Sequence, residues 1–116
     1  MATPAQCQRA VDYLVTRLSD IPLETRKRNA PDRSLQIEVT DLGFAYVGQM
    51  AQGELVGVTT IPLPVEGEPA QVRLALSSDD FVALADGVLT LSAAWMTGKL
   101  RVDASVLDMV RLRALL

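Results

Sequence analysis

The sequence predicts an α/β fold of the α+β type, and three observations predict it. Apolar residues recur with a helical period near the start, at Val11, Leu14, Val15 and Leu18. They then alternate with polar ones, Leu35, Ile37 and Val39 against Gln36, Glu38 and Thr40. After residue 76, capped helical segments and short strand segments follow one another in the order helix, helix, strand, helix. A chain of 116 residues can bury roughly two thirds of its unfolded surface, so the expectation is one domain over 1–116.

The elements follow from local chemistry. Thr3 before Pro4 is a hydroxyl cap followed by a ring whose φ suits a first helical turn, which starts a helix running to about Leu18. Asp20, Pro22, Asn29 and Pro31 make the next stretch irregular. The alternating segment 35–40 is a half-buried strand ended by Gly43. Phe44–Ala51 is a second strand, with Phe44, Tyr46 and Met50 on one side and Ala45, Val47 and Ala51 on the other. Gly53 breaks again before a third strand, Glu54–Ile61. Connections this short join antiparallel neighbours, so the three form a meander.

Pro62, Pro64, Gly67 and Pro69 make a loop of 62–70, and Gln71–Leu76 is a fourth strand. Ser77, Ser78, Asp79 and Asp80 start a helix, a hydroxyl cap with carboxylates at the positive end of the dipole, and Gly87 ends it. Leu91–Thr97 is a short helix closed by Gly98, Lys99–Asp103 a fifth strand, and Ser105 caps a last helix, Val106 to about Leu115. The helical crossover between the fourth and fifth strands lets them lie parallel if they share a sheet.

Composition excludes several functions. The chain has no His and one Cys, Cys7, so no intrachain disulfide, no His/Cys zinc site and no imidazole-based triad can form. A net charge of −3 argues against nucleic acid as a partner. No apolar run approaches the roughly 18 residues of a membrane span, and the start MATPAQCQRA does not read as a signal peptide, so the expected location is cytoplasmic. No catalytic group, metal or cofactor is expected. Asp79 and Asp80 are explained by the helix start, and Gly43, Gly48, Gly53 and Gly57 lack the ending of a phosphate loop.

The run from Val72 to Leu116 resembles the C-terminal half of the sterol carrier protein 2 family. The residues that carry the resemblance are Ser78, Asp79, Asp80, Phe81, Leu84, Gly87, Ala94, Trp95, Met96, Gly98, Lys99 and Leu100. Many members have Gly after the fifth strand, where this chain has Asp103, Ala104 and Ser105. The peroxisomal address of some eukaryotic members is not found in the ending Arg-Ala-Leu-Leu. The resemblance implies a five-stranded, mostly antiparallel sheet with helices covering one face. It also implies an apolar tunnel for a sterol, fatty acid, acyl-CoA or phospholipid, bound without covalent chemistry.

Two sets of residues are singled out. Phe81, Leu84, Trp95, Met96, Leu100, Val102, Val106, Met109, Val110 and Leu115 would pack as ordinary core in any fold of this class. The resemblance adds the reading that they line the tunnel, with the adaptable Met109 as a prominent member. Arg26, Lys27, Arg28 and Arg33 are a local basic cluster, either a solvated loop or a contact for a lipid head group, with at most transient membrane contact. The alternative function is a filled-core interaction module acting with a partner enzyme or as a homodimer.

Overall fold

The computed structural model describes residues 1–29 and 32–115, and its side-chain description leaves out 29 and 112–115. In chain order the elements are α1 (Pro4–Asp20), α2 (Leu23–Asn29), β1 (Arg33–Val39), β2 (Phe44–Ala51), β3 (Glu54–Pro62), β4 (Val72–Leu76), α3 (Ser78–Ala85), α4 (Leu91–Met96), β5 (Arg101–Asp103) and α5 (Val106–Leu115).

The caps form where the sequence places hydroxyls. Thr3 Oγ accepts the Gln6 N–H at 3.2 Å while Gln6 Oε1 accepts the Thr3 N–H at 2.8 Å, a reciprocal box that closes α1. Ser77, Thr90 and Ser105 accept the N–H of Asp80, Ala93 and Asp108, respectively, at the starts of α3, α4 and α5.

The sheet has five strands in the order β3-β2-β1-β4-β5. The meander forms as expected, with Ile37 opposite Tyr46 and Tyr46 opposite Thr60. Gln52 and Gly53 join β2 to β3, both at positive φ (53° and 81°), the two-residue turn whose twist matches its strands. Between Val47 and Gln49 the register shifts, with Gly57 at φ 65° supplying the bulge in β3.

Three features depart from expectation. The fourth and fifth strands pair antiparallel, Leu74 opposite Val102, and the parallel pair is β1 with β4 instead. Two consecutive helices, α3 and α4, carry the chain out and back, so it re-enters beside the end of β4 that it left. The second departure is α2, which occupies part of the stretch read as irregular. Pro22 precedes its first turn, where proline starts a helix rather than breaking one, and its carbonyl accepts the Arg26 N–H at 3.0 Å. The third is β5, which is shorter than expected. Lys99 precedes it, and the Leu100 N–H closes α4 on the Ala94 carbonyl at 3.0 Å, around Gly98 at φ 80°.

Strand alternation puts Ile37, Val39, Tyr46 and Leu76 under the helices. There they meet Cys7, Ala10 and Val11 of α1 and Phe81 and Leu84 of α3. Tyr46 stands edge-on to Phe44 (5.3 Å between centroids) and to Phe81 (6.1 Å). Buried Ser78 joins α1, α3 and the β1–β2 turn. Its hydroxyl donates to Asp41 Oδ2 at 2.7 Å and accepts the Ala2 N–H at 2.9 Å, and its N–H donates to Asp41 Oδ1 at 2.8 Å.

Candidate functional site

The same sheet face is not filled along its whole length. Toward the start of β1 the side chains diverge and enclose a partly open cavity of about 690 Å³. Its floor is Leu35 and Ile37 of β1, Met50 of β2, Leu55 of β3, and Val72 and Leu74 of β4. Its roof is the second half of α1, Leu14, Val15 and Leu18, with Ile21 beyond. Leu84, Leu89, Leu91, Trp95 and Leu100 close the far side. Gly48 sits opposite Leu35 and puts no side chain on the floor; a Cβ there would meet Val58 and Leu55 at 3.2 and 3.3 Å.

Polar groups are sparse. Among the residues on the wall, the ionisable ones are Arg17, Arg33, Asp108 and Arg111. Asp108 is held by the first turn of α5, where Ser105 Oγ accepts its N–H at 3.1 Å. Its Oδ2 accepts from Arg33 Nε at 3.1 Å, which ties α5 to the first residue of β1. Its Oδ1 is 3.7 Å from Arg111 Nη1 and accepts no hydrogen bond among the described residues.

The remaining titratable groups of the core are quiet. Burial pushes the Cys7 thiol up, with Asp41 and Asp79 adding to it, so the thiol stays protonated. Burial raises the Tyr46 phenol likewise, with Cys7 and Asp12 adding. Desolvation works to raise Asp41, but the hydrogen bonds from Ser78 outweigh it and hold the carboxyl below its ordinary value. None of these three groups lies on the cavity wall. Among the described residues, no group of three or more His, Cys, Asp or Glu is arranged to hold a metal ion.

Leu84, Trp95, Leu100 and Arg33, from the sequence-predicted set, stand together on the cavity wall. Phe81 does not; it is 1% exposed and spent on the Tyr46 contact. Val102 is half-buried against the core from β5, and Met109 is half-buried without reaching the wall. Met96, Val106 and Val110 point outward, 81%, 80% and 61% exposed. The apolar strip of the last helix therefore does not, in its described part, form the lining, because Asp108 is the residue that α5 turns inward. The Leu115 side chain lies outside the described residues. In the basic cluster, Lys27 and Arg28 are exposed, while Arg26 is buried and donates to the carbonyls of Ile21 and Gly53, both at 3.0 Å.

Sequence reasoning missed most of the wall. Leu14 and Leu18 were legible as an apolar stripe, and Leu35 and Leu74 as strand positions, but nothing in the periodicity separates a residue that meets a neighbour from one that meets a void. Asp108 had a signal of its own, a carboxylate interrupting the apolar strip three residues after a serine cap.

Comparison with known proteins bears on this arrangement. A model of the SCP-2 sterol transfer family matches residues 17–116. The chain belongs to the SCP-2 sterol transfer family. The match takes in the second half of the cavity roof as well as the sheet, so SCP-2 membership is not carried by the C-terminal motifs alone. No curated protein matches the chain by sequence.

Among solved structures, a sterol carrier protein 2 crystal structure superposes with a TM-score of 0.64 at 17% identity, covering 97% of this chain and 86% of that one. The SCP-2 of Aedes aegypti in complex with palmitate gives 0.55 at 18% identity, covering 98% and 94%. The sec-alkylsulfatase Pisa1 of Pseudomonas sp. gives 0.54 at 19% identity, covering 81% of this chain and 14% of that one. This chain thus spans a small part of the sulfatase's length. At these identities the likenesses establish the SCP-2 fold.

Proposed function

We propose that residues 1–116 form one sterol-carrier-type domain that binds and transfers an apolar or amphipathic lipid in the cavity, without covalent chemistry. The observation that carries the reading is a cavity of about 690 Å³ walled mostly by aliphatic side chains, with few ionisable groups on its wall. That volume lies within the roughly 300–1,000 Å³ typical of small-molecule sites. Family membership supports the reading, and so does the palmitate held by the Aedes aegypti protein of the same fold. Desolvation supplies the affinity: each methylene moved from water to the cavity gains about 0.8 kcal/mol, roughly a fourfold change in affinity per methylene.

A second reading, the interaction module with a partner enzyme, is favoured by one observation: the fold recurs as 14% of the sulfatase chain. Native mass spectrometry of the purified protein separates the two. Co-purified lipid, or displacement of a fluorescent fatty acid with a change in Trp95 emission, supports the carrier. No binding of fatty acids, acyl-CoAs, sterols or phospholipids overturns it.

A further inference from the structure

The ionisable groups on the cavity wall do not mirror the chain. The whole molecule carries a net charge of −3, yet Arg33 and Arg111 stand on the cavity wall against one carboxylate, Asp108; Arg17 also borders the cavity, but it is exposed and its guanidinium lies over the Tyr13 ring at 5.9 Å. Asp108 is 8% exposed, and it braces both neighbours: Arg33 by a direct hydrogen bond at 3.1 Å and Arg111 at 3.7 Å. One carboxylate neutralises one of the two guanidinium groups and orients the pair, leaving a positive remainder. Arg33 and Arg111 are themselves only 31% and 32% exposed, so their charge is partly withdrawn from water. An opposite charge placed beside them is screened less than at an open surface. Arg33 is oriented by Nε on Asp108 and Nη1 on the Asp32 carbonyl at 2.8 Å, which leaves mainly its Nη2 to donate, so the paired N–H donors that guanidinium offers to carboxylate and phosphate come chiefly from Arg111.

We infer that Arg33 and Arg111, positioned by Asp108, form a subsite for an anionic head, a carboxylate or a phosphate monoester, on a single-chain amphiphile whose tail lies over Leu35 and Leu74 toward Trp95. A neutral alcohol or a sterol can accept a hydrogen bond there but brings no opposite charge to the site. The cavity volume, about 690 Å³, is large enough to take one such chain. The inference rests on the lipid reading above and narrows it to a charge class and a polar end.

The test compares palmitate, hexadecyl phosphate and hexadecanol, which share a tail and differ in head, by Trp95 fluorescence and calorimetry on the wild type, Arg33→Gln and Arg111→Gln. The expected result is at least one anionic probe bound about tenfold or more tightly than the alcohol at low salt, the ratio shrinking in high salt and in each variant. Arg111→Gln keeps the Arg33–Asp108 bond, so it reads the head contribution even if Arg33→Gln loosens α5; thermal unfolding identifies that case. Which anion is preferred distinguishes a carboxylate from a phosphate ligand, and either preference supports the subsite. Equal binding of all three probes, insensitive to salt and to both variants, overturns the subsite while leaving the lipid reading intact. Binding of none of the three probes overturns the subsite, and the lipid reading falls with it only if acyl-CoAs, sterols and phospholipids also fail to bind.

Discussion

Helix α1 and strand β1 each cross two unlike regions. At the N-terminal end of α1, Cys7, Ala10 and Val11 meet Val39, Tyr46 and Phe81 with almost no exposed surface. At its C-terminal end, Leu14, Leu18 and Ile21 face Leu35, Met50 and Leu55 across the cavity. Both ends are apolar, and both are laid on the same face of the same sheet. The difference is what closes them. The filled end has three aromatic rings in edge contact and the hydrogen-bonded junction of Asp41, Ser78 and Ala2. The hollow end has aliphatic side chains of moderate length, a glycine opposite Leu35, and a salt bridge from Arg33 to Asp108. Hydrophobicity alone therefore does not specify a packed core; volume and directional bonds do.

The comparison can be broken at either end. The largest effect is expected at Phe81→Ala, which leaves a void where neighbours cannot collapse and should cost about 3–5 kcal/mol in urea unfolding. Gly53→Ala comes next. It puts a Cβ at φ 81° and 3.1 Å from the Arg26 Cβ, and should cost about 1–3 kcal/mol by the same measurement. Leu18→Ala, on the hollow side, should cost about 1 kcal/mol or less because the side chain already faces open space, while weakening fatty-acid retention in a fluorescence titration. A loss as large as that of Phe81→Ala would mean the cavity is not a void in solution.

The smallest effect is a pH dependence. The Asp41 carboxyl is held below its ordinary value, so its ionised form stabilises the fold above about pH 4 and that contribution fades as the pH falls through the depressed value. Wild type should lose stability in this acid range, and Asp41→Asn should flatten the loss; parallel acid profiles for the two proteins would remove Asp41 from the account.

Much of the fold was legible because its signals are local. Caps at Thr3, Ser77 and Ser105, alternation in β1 and the glycine-marked turns each report on a few neighbouring residues. What failed was set by distant contacts. The seven-residue helix α2 is too short to stand on propensity and forms against the β2–β3 hairpin through Arg26. The antiparallel pairing of β5 depends on where two helices return the chain. The site was less legible than the fold. Leu84, Trp95 and Leu100 came from a resemblance, and Arg33 from a basic cluster whose other members do other things. Met96, Val106 and Val110 share the apolar character of the true wall and lack only its orientation.

Arg26 has a mechanical consequence. By bonding the carbonyls of Ile21 and Gly53 it rivets the end of the first helical segment to the tip of a β-hairpin, fixing the frame on that flank of the hollow. Room for a guest larger than the resting space therefore has to come from elements other than this riveted corner.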